Sequence, residues 1–598
     1  MSELTLIGLA SIIILGIAAQ WLAWRLHLPS ILLLLLFGIF AGPVVGFLHP
    51  DDLFGELLFP LVSISVAIIL FEGGLSLRID ELRKIGIVVR NLTSIAIVVT
   101  WVLGAIGAHY IAGIAWAPAI LLGAILVVSG PTVIIPLLRQ VRPIGNVGSI
   151  IKWEGIVNDP IGAVLAVLVF QVIIAGGTGS GVSIAVWGVI KAILAGGIIG
   201  IAGAGILVLL LRRYLIPDFL QNPVSLMLVV MVYGTSNHIQ PESGLLAVTL
   251  MGIALANQKF VSIKHITEFK ENLRVILISS LFIILAARLS LDQLSTFKIS
   301  NWIFVIALII VVRPLAVLLS TIGTNIKANE RAFIAWIAPR GIVAAAVSAV
   351  FAIRLTEAGY PDSESLIPLT FQVIIGTVAI YGLTASPVAR LLKVAKPSPQ
   401  GVLIVGAQPW ARSIAAILKA EGFAVVLVDS NWSHVAAARK DGCNAYYANI
   451  LGEDLLYEIQ LDGIGRLIAL TPNDEVNSLA ALHFVDIFGS SEVYQLPPSS
   501  KTSAERKSKS PRHLRGRYLF DDEATYDYLE RRFTEGAIVK RNLLTEEFDF
   551  EAYKAMYGES ALPLFIITKS KMLKICTADS EPSPEKGEKL ISIVDEKD

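Results

Sequence analysis

Glu154, Asn158 and Asp159 lie in Lys152-Trp-Glu-Gly-Ile-Val-Asn-Asp-Pro160, at the head of an apolar run that continues to Ile174. An ionised Asp at the centre of a membrane helix costs about 2.5–3.5 kcal/mol, so such groups face a bundle interior or a water-filled path. Glu72, Arg313 and Arg340 are of the same kind, each inside its own apolar run. A buried carboxylate can hold a proton or a hard cation, and a nearby guanidinium can neutralise it. These residue types at these places point to ions crossing a bilayer.

Membrane spans must position such groups, and the composition supplies them. The 598 residues are 55% hydrophobic, with a mean hydropathy of +0.71, far above a soluble chain. The excess is confined to residues 1–395, where apolar runs predict thirteen spans near 4–24, 30–47, 57–77, 87–109, 117–138, 153–175, 183–211, 222–238, 242–257, 272–290, 301–322, 331–353 and 366–392. No basic segment precedes the first run, so Leu4–Trp24 reads as a retained helix rather than a cleaved signal. Basic residues, from Arg25 and Arg78 to Arg390 and Lys396, gather at alternate joints; the other joints hold Arg288, Lys298 and Arg354 beside Asp51-Asp52 and Asp362. The positive-inside rule makes the basic side cytoplasmic, places the remaining 200-odd residues there and puts the amino terminus outside. A rise of ~1.5 Å per residue then sets Glu72, Ser129, Asp159 and Arg340 roughly 9–15 Å deep, with Arg313 deeper.

Two runs carry interruptions. Ser129-Gly-Pro-Thr132, followed by Pro136, breaks one helix, and Ala338-Pro-Arg-Gly-Ile-Val343 breaks another in the corresponding place of a second half. Pro160 frees the Ile156 carbonyl in the Asp159 helix. Paired broken helices indicate an inverted-repeat secondary transporter with a site at mid-membrane. Asp159 has a second reading, as a structural partner of Arg313 or Arg340. Glu72 has three: a partner for Arg313, a lining of the cytoplasmic entrance, or a helix cap.

Leu70-Phe-Glu-Gly-Gly-Leu75, Glu154-Gly-Ile-Val-Asn-Asp159, Glu242-Ser-Gly-Leu-Leu-Ala-Val248 and Trp336-Ile-Ala-Pro-Arg-Gly-Ile-Val-Ala-Ala-Ala346 together resemble the monovalent cation:proton antiporters of the NhaP type. The resemblance covers about two thirds of the chain. It implies a homodimer in the cell (inner) membrane, with a six-helix core moving against an interface bundle. It further implies that Asp159 binds cation and proton alternately, that Asn158 is its partner in the Asn-Asp pair of electroneutral exchangers, and that Glu154 pairs with Arg340. The departure is Gly130, where many members have the Asp of a Thr-Asp-Pro sequence. Without it the transported metal ion relies on Asp159, Ser129, Thr132 and backbone carbonyls.

A lone titrating carboxylate exchanges one proton for one cation, because protonation removes the charge that attracts the ion. Na⁺ and Li⁺ suit a small hard-oxygen site, and K⁺ needs more room and more ligands. No enzyme is expected. A K⁺/H⁺ efflux antiporter is the nearest alternative, although that branch would show Gln-Asp where this chain has Asn158-Asp159. A gated cation channel would need a Thr-Val-Gly-Tyr-Gly filter, absent here, and a membrane-anchored nicotinamide oxidoreductase would need a second catalytic domain.

Residues 396–520 read as a Rossmann-like unit. Gly401-Val-Leu-Ile-Val-Gly406 is a buried strand and turn, Arg412–Glu421 a helix, and Ala424-Val-Val-Leu-Val-Asp429 a strand ending in a ribose-binding type of Asp. Further strands are predicted at Ala445–Asn449, Arg466–Thr471 and Glu492–Leu496. With Ala469-Leu-Thr-Pro-Asn-Asp-Glu-Val-Asn477 this resembles the TrkA-N, or RCK, regulatory domain, which implies NAD(H) or an adenine nucleotide at Gly406, Gln408, Ala411 and Asp429. Gln408 occupies the second glycine's place, where the pyrophosphate approaches the backbone. Pro497–Arg517 reads as a mobile basic loop beside anionic lipid. Residues 521–598 form a small module with a helix near Glu523–Thr534 and strands at Leu564–Thr568, Met572–Cys576 and Leu590–Val594. Cys443 and Cys576 are too few for a disulfide framework or zinc site, and 48 basic against 48 acidic residues give no argument for nucleic acid.

Overall fold

The computed structural model describes residues 3–26, 28–141, 143–175, 179–291, 298–395, 400–452, 459, 461, 463–499, 515–558 and 561–595. The chain divides into two compact units, Met1–Ala395 and Lys396–Asp598.

Apolar segments without water must satisfy their backbone internally, and the first unit does so with helices. It runs through α1 (Glu3–Leu26), α2 (Ser30–Ile39, prolonged by a π-helical turn at Phe40–Val44), a short α3 (Pro50–Phe54) and α4 (Leu58–Leu75). Next come α5 (Ile79–Leu92), α6 (Ile95–Tyr110), α7 (Trp116–Ile125), α8 (Pro131–Val141) and α9 (Val147–Ile174). α10 (Gly179–Arg212), α11 (Asp218–Ile239), α12 (Ser243–Asn257) and α13 (Lys264–Ala287) follow. The unit closes with α14 (Ile299–Ala307), a π-helical turn at Leu308–Val312, α15 (Arg313–Ser320), α16 (Ala328–Trp336), α17 (Ile342–Glu357) and α18 (Leu366–Leu391). Among the described residues, eight helical stretches are long and apolar enough to cross a membrane, and three shorter apolar helices accompany them. Their outward residues are apolar too, as at Trp187, Ile193, Ile198 and Ile201 of α10, which suits contact with lipid. α5 and α13 begin well before the apolar runs expected at 87 and 272. Charged first turns hid these starts from hydropathy, and Arg274 thereby lies inside a helix rather than at a joint.

The second unit is built on a parallel sheet of order β3-β2-β1-β4-β5-β6. Its strands are β1 (Gly401–Val405), β2 (Val425–Asp429), β3 (Asn444–Tyr447), β4 (Ile464–Ala469), β5 (Val493–Gln495) and β6 (Arg517–Tyr518). α19 (Pro409–Ala420), α20 (Trp432–Lys440) and α21 (Asp474–Phe488) are its connecting helices. All of β1 is buried, as a central strand covered on both faces must be. α22 (Tyr526–Thr534) leads to β7 (Ile538–Leu543), α23 (Phe550–Tyr557), β8 (Leu562–Ile567), β9 (Leu573–Ile575) and β10 (Lys589–Val594). These last strands form an antiparallel sheet of order β7-β10-β8-β9. Val402, Ile404 and Leu427 share one core with Phe565, Ile591 and Ile593, so the apolar interior continues across 520–521. Sequence reading omitted β6, β7 and α23. β7 is an edge strand with Lys540 and Arg541 exposed, which carries no apolar alternation to read. Most of the loop expected at 497–517 and of the junction after Lys396 lies outside the described residues.

Candidate functional site

α9 continues unbroken through Pro160 and carries Asp159 fully buried near its middle. Gly155 and Gly162 flank Asp159 one helical turn away on the same face. A Cβ on Gly162 would come 2.6 Å from Val128, and one on Gly155 would strike Ile134. Asp159's face therefore looks onto the interruption between α7 and α8, residues 126–130, which holds Ser129; Thr132 opens the helix beyond it. Pro131 suits that position because the first helical residue needs no intrahelical donor.

The second interruption, residues 337–341, separates α16 from α17. The two breaks cross backbone on backbone: a Cβ on Gly130 would lie 2.5 Å from the Gly341 Cα, and the reverse holds equally. The helix ends at the crossing bring partial negative charge from α7 and α16 and partial positive charge from α8 and α17. Arg340 ties the breaks together, its Nη1 donating to the Val128 carbonyl at 3.4 Å and its backbone N–H to Thr377 Oγ1 at 3.3 Å.

The expected Glu154–Arg340 pair is not what the structure forms. Arg313 takes Glu154 in a two-pronged ion pair, Nη1 to Oε1 and Nη2 to Oε2, the latter at 2.9 Å. Arg313 also donates to the Ile334 carbonyl from Nη2 at 2.9 Å, so it braces α15, α9 and α16. The π-helical turn just before Arg313 re-aims it, and spacing in the sequence does not show such a turn. Of the three readings for Glu72, the ion pair is the one seen, but with another partner: its Oε1 accepts from Arg274 of α13 at 2.6 Å, not from Arg313. Arg340 lies within electrostatic reach of Asp159, Glu154 and Arg313.

Five buried oxygens of α9, the start of α8 and the break before it have no hydrogen-bond partner among the described residues: Ser129 Oγ, Thr132 Oγ1, Asn158 Oδ1 and both carboxylate oxygens of Asp159. Leaving a buried polar group unsatisfied costs about 1–3 kcal/mol, more when charged, which makes these oxygens candidate ligands for a hard cation or a proton. Thr370 and Gln372 of α18 are also fully buried, and the polar side-chain atoms of both lack partners. Uncharged and close to a helix start, they gave hydropathy no signal. No cluster of three or more His, Cys, Asp or Glu exists among the described residues, which leaves the oxygen set as the cation candidate. A cavity of about 220 Å³, lined by Ser63, Gln171, Tyr233, Glu242 and Arg354 among others, opens at one end of the bundle. Another of about 310 Å³, lined by Gln20, Val133, Pro136 and Tyr381 among others, opens at the opposite end.

In the second unit the residues expected to hold a nucleotide are brought together but engage one another. Gly406 has φ +106°, and the buried Gln408 folds over it to donate from Nε2 to the Leu470 carbonyl at 2.7 Å. Asp429 Oδ2 accepts from the Ala407 N–H at 2.8 Å and faces His434 Nδ1 at 3.0 Å, while Oδ1 accepts from the Asn431 N–H at 2.8 Å. Ala411 is buried in the first turns of α19. These residues do not fit a bound pyrophosphate, which needs the second fingerprint position bare and loop amides turned outward.

The family model "Sodium/hydrogen exchanger, transmembrane" matches residues 9–391, and the TrkA-N domain model matches residues 402–496. The chain is 29% identical over 406 residues to the K(+)/H(+) antiporter NhaP of Alkalimonas amylolytica, spanning 67% of this chain and 68% of the relative. It is 27% identical over 362 residues to Na(+)/H(+) antiporter 1 of Methanocaldococcus jannaschii, spanning 58% and 83% respectively. Among solved structures, the sodium proton antiporter MjNhaP1 from Methanocaldococcus jannaschii at pH 8 superposes with a TM-score of 0.57 at 23% identity, covering 65% of this chain and 98% of that one.

Proposed function

The chain belongs to the sodium/hydrogen exchanger family, and from that premise we propose that it is a secondary antiporter in which Asp159 takes a monovalent cation and a proton in turn. The observation that carries this reading is Asp159 itself, fully buried with both oxygens unpartnered among the described residues. Glu154 is neutralised by Arg313, and Arg340 supplies one further positive charge. With Asp159 ionised the four groups sum to zero. Adding either a cation or a proton gives the same net charge of +1. The moving core then carries equal charge in both directions, and exchange is one for one and electroneutral.

Na⁺ is the leading cargo, with Asp159, Asn158, Ser129 and Thr132 as its oxygen set and Li⁺ as a close substitute. K⁺ is the second reading, favoured because several relatives are named K(+)/H(+) antiporters. The cavities at opposite ends of the bundle support alternating access. Thirteen spans arranged as an inverted repeat, a homodimer in the cytoplasmic membrane, an external amino terminus and a cytoplasmic carboxyl-terminal unit complete the reading. That unit enters it as a regulatory or assembly module rather than as a nucleotide sensor. The test is cation-induced pH change in proteoliposomes given Na⁺, Li⁺ or K⁺. Exchange present in the parent and lost in Asp159→Asn supports the assignment, and exchange at the parental rate in that variant refutes it.

A further inference from the structure

We propose that the Rossmann unit is self-liganded: Gln408 fills from within the crevice where a dinucleotide's pyrophosphate would lie, and the unit takes no nicotinamide or adenine dinucleotide. Doubly wound sheets bind such ligands where the strand order reverses. Here that point lies between β1 and β4. The loop after β1 carries Gln408 and the residue after β4 is Leu470, so the 2.7 Å bond between them spans the crevice. A Cβ on Gly406 would meet Gln408 Oε1 at 2.7 Å, so the first fingerprint glycine makes room for the glutamine.

Two further features weaken, without closing, the site's hold on an anion. Pro409 is the first residue of α19, and it removes one of the N–H groups that a helix N-terminus offers to phosphate. The next residue, Trp410, is buried and donates its indole N–H to Glu530 Oε2 at 2.9 Å, stacked on Phe533. Carboxylates surround this mouth. Burial, then Glu530, Asp429 and Asp527, push the Tyr526 hydroxyl up to about 12. Burial raises the Asp474 carboxyl as well, with Glu475 and Asp527 adding to it. A pyrophosphate would have to displace an internal hydrogen bond and sit among like charges, each of which disfavours it.

The inference is independent of the transport reading. Its test uses the full-length protein in lipid nanodiscs, titrated with NAD⁺, NADH, ADP and ATP to millimolar concentration, with calorimetry and thermal stability as readouts. The parent is expected to give neither heat nor a stability shift. Gln408→Gly, which restores the fingerprint glycine, is expected to melt lower than the parent and to gain NADH or NAD⁺ binding that raises its melting temperature. Binding by the parent that Asp429→Ala removes would overturn the proposal. So would a folded Gln408→Gly protein as silent as the parent. If Gln408→Gly does not fold, Gln408→Ala is titrated in its place and read by the same two outcomes.

Discussion

Asp159 and Glu154 are carboxylates barely more than one turn apart on α9, and their surroundings give them different tasks. Glu154 is held by both prongs of Arg313, whereas Asp159 has no hydrogen-bond partner among the described residues. Removing one member of a buried pair leaves an uncompensated charge and costs about 3–5 kcal/mol. Glu154→Gln should therefore lower thermal stability sharply while Arg313 remains, and Glu154→Gln/Arg313→Met should recover much of the loss. A double-mutant cycle read by thermal unfolding should show strong coupling between 154 and 313 and little between 154 and 340; the reverse ranking would contradict the pairing seen here. The charged members of this cluster were legible in the sequence because a carboxylate or guanidinium in an apolar run is conspicuous. Which guanidinium meets which carboxylate was not, because a π-helical turn and an early helix start shift side-chain directions without altering composition.

At the scale of elements, the crossing of the two breaks is the organising feature. Gly130, where the family resemblance implied an Asp, has no space for a side chain, since its Cβ would lie 2.5 Å from the Gly341 Cα. Either Gly130→Ala or Gly341→Ala should destabilise by about 1–3 kcal/mol through overpacking, and Gly130→Asp should lower both stability and exchange rather than add a ligand. A Gly130→Asp protein with parental melting temperature and faster exchange would contradict this. The breaks themselves were readable from Pro131 and Pro339, because proline cannot continue the hydrogen-bond ladder. Their contact was not, because a glycine that permits close approach and one that merely ends a helix look alike in sequence. In the second unit the alternation of apolar strands and helices was equally legible, while β7 was hidden by its charged, exposed face.

For the molecule as a whole, the carboxyl-terminal unit and the membrane unit make separate predictions. Glu421 at the end of α19 accepts from Lys589 of β10 at 2.7 Å and pairs with Arg541 of β7, which clamps the parallel unit to the antiparallel sheet. The Lys589 bond, with Arg541 assisting, holds its carboxyl below the usual glutamate range. A depressed folded-state pKa gives stability that is present above the unfolded value and lost as pH falls through the folded one. Amide protection across residues 538–543, corrected for intrinsic exchange, should therefore drop in acid below the ordinary glutamate pKa. In Glu421→Gln it should be low already at neutral pH and lack that step, and an unchanged step would contradict the clamp. The central claim concerns the membrane unit: one carboxylate, one cation, one proton and no net charge moved. A potential acts on each net charge with about 2.3 kcal/mol per 100 mV, enough to change a rate many-fold. The most direct measurement is the initial rate of cation/H⁺ exchange in proteoliposomes with the potential clamped at zero and then at a negative-inside value. Equal rates are predicted, and a rate that rises or falls several-fold with the clamped potential would contradict the single-carboxylate account.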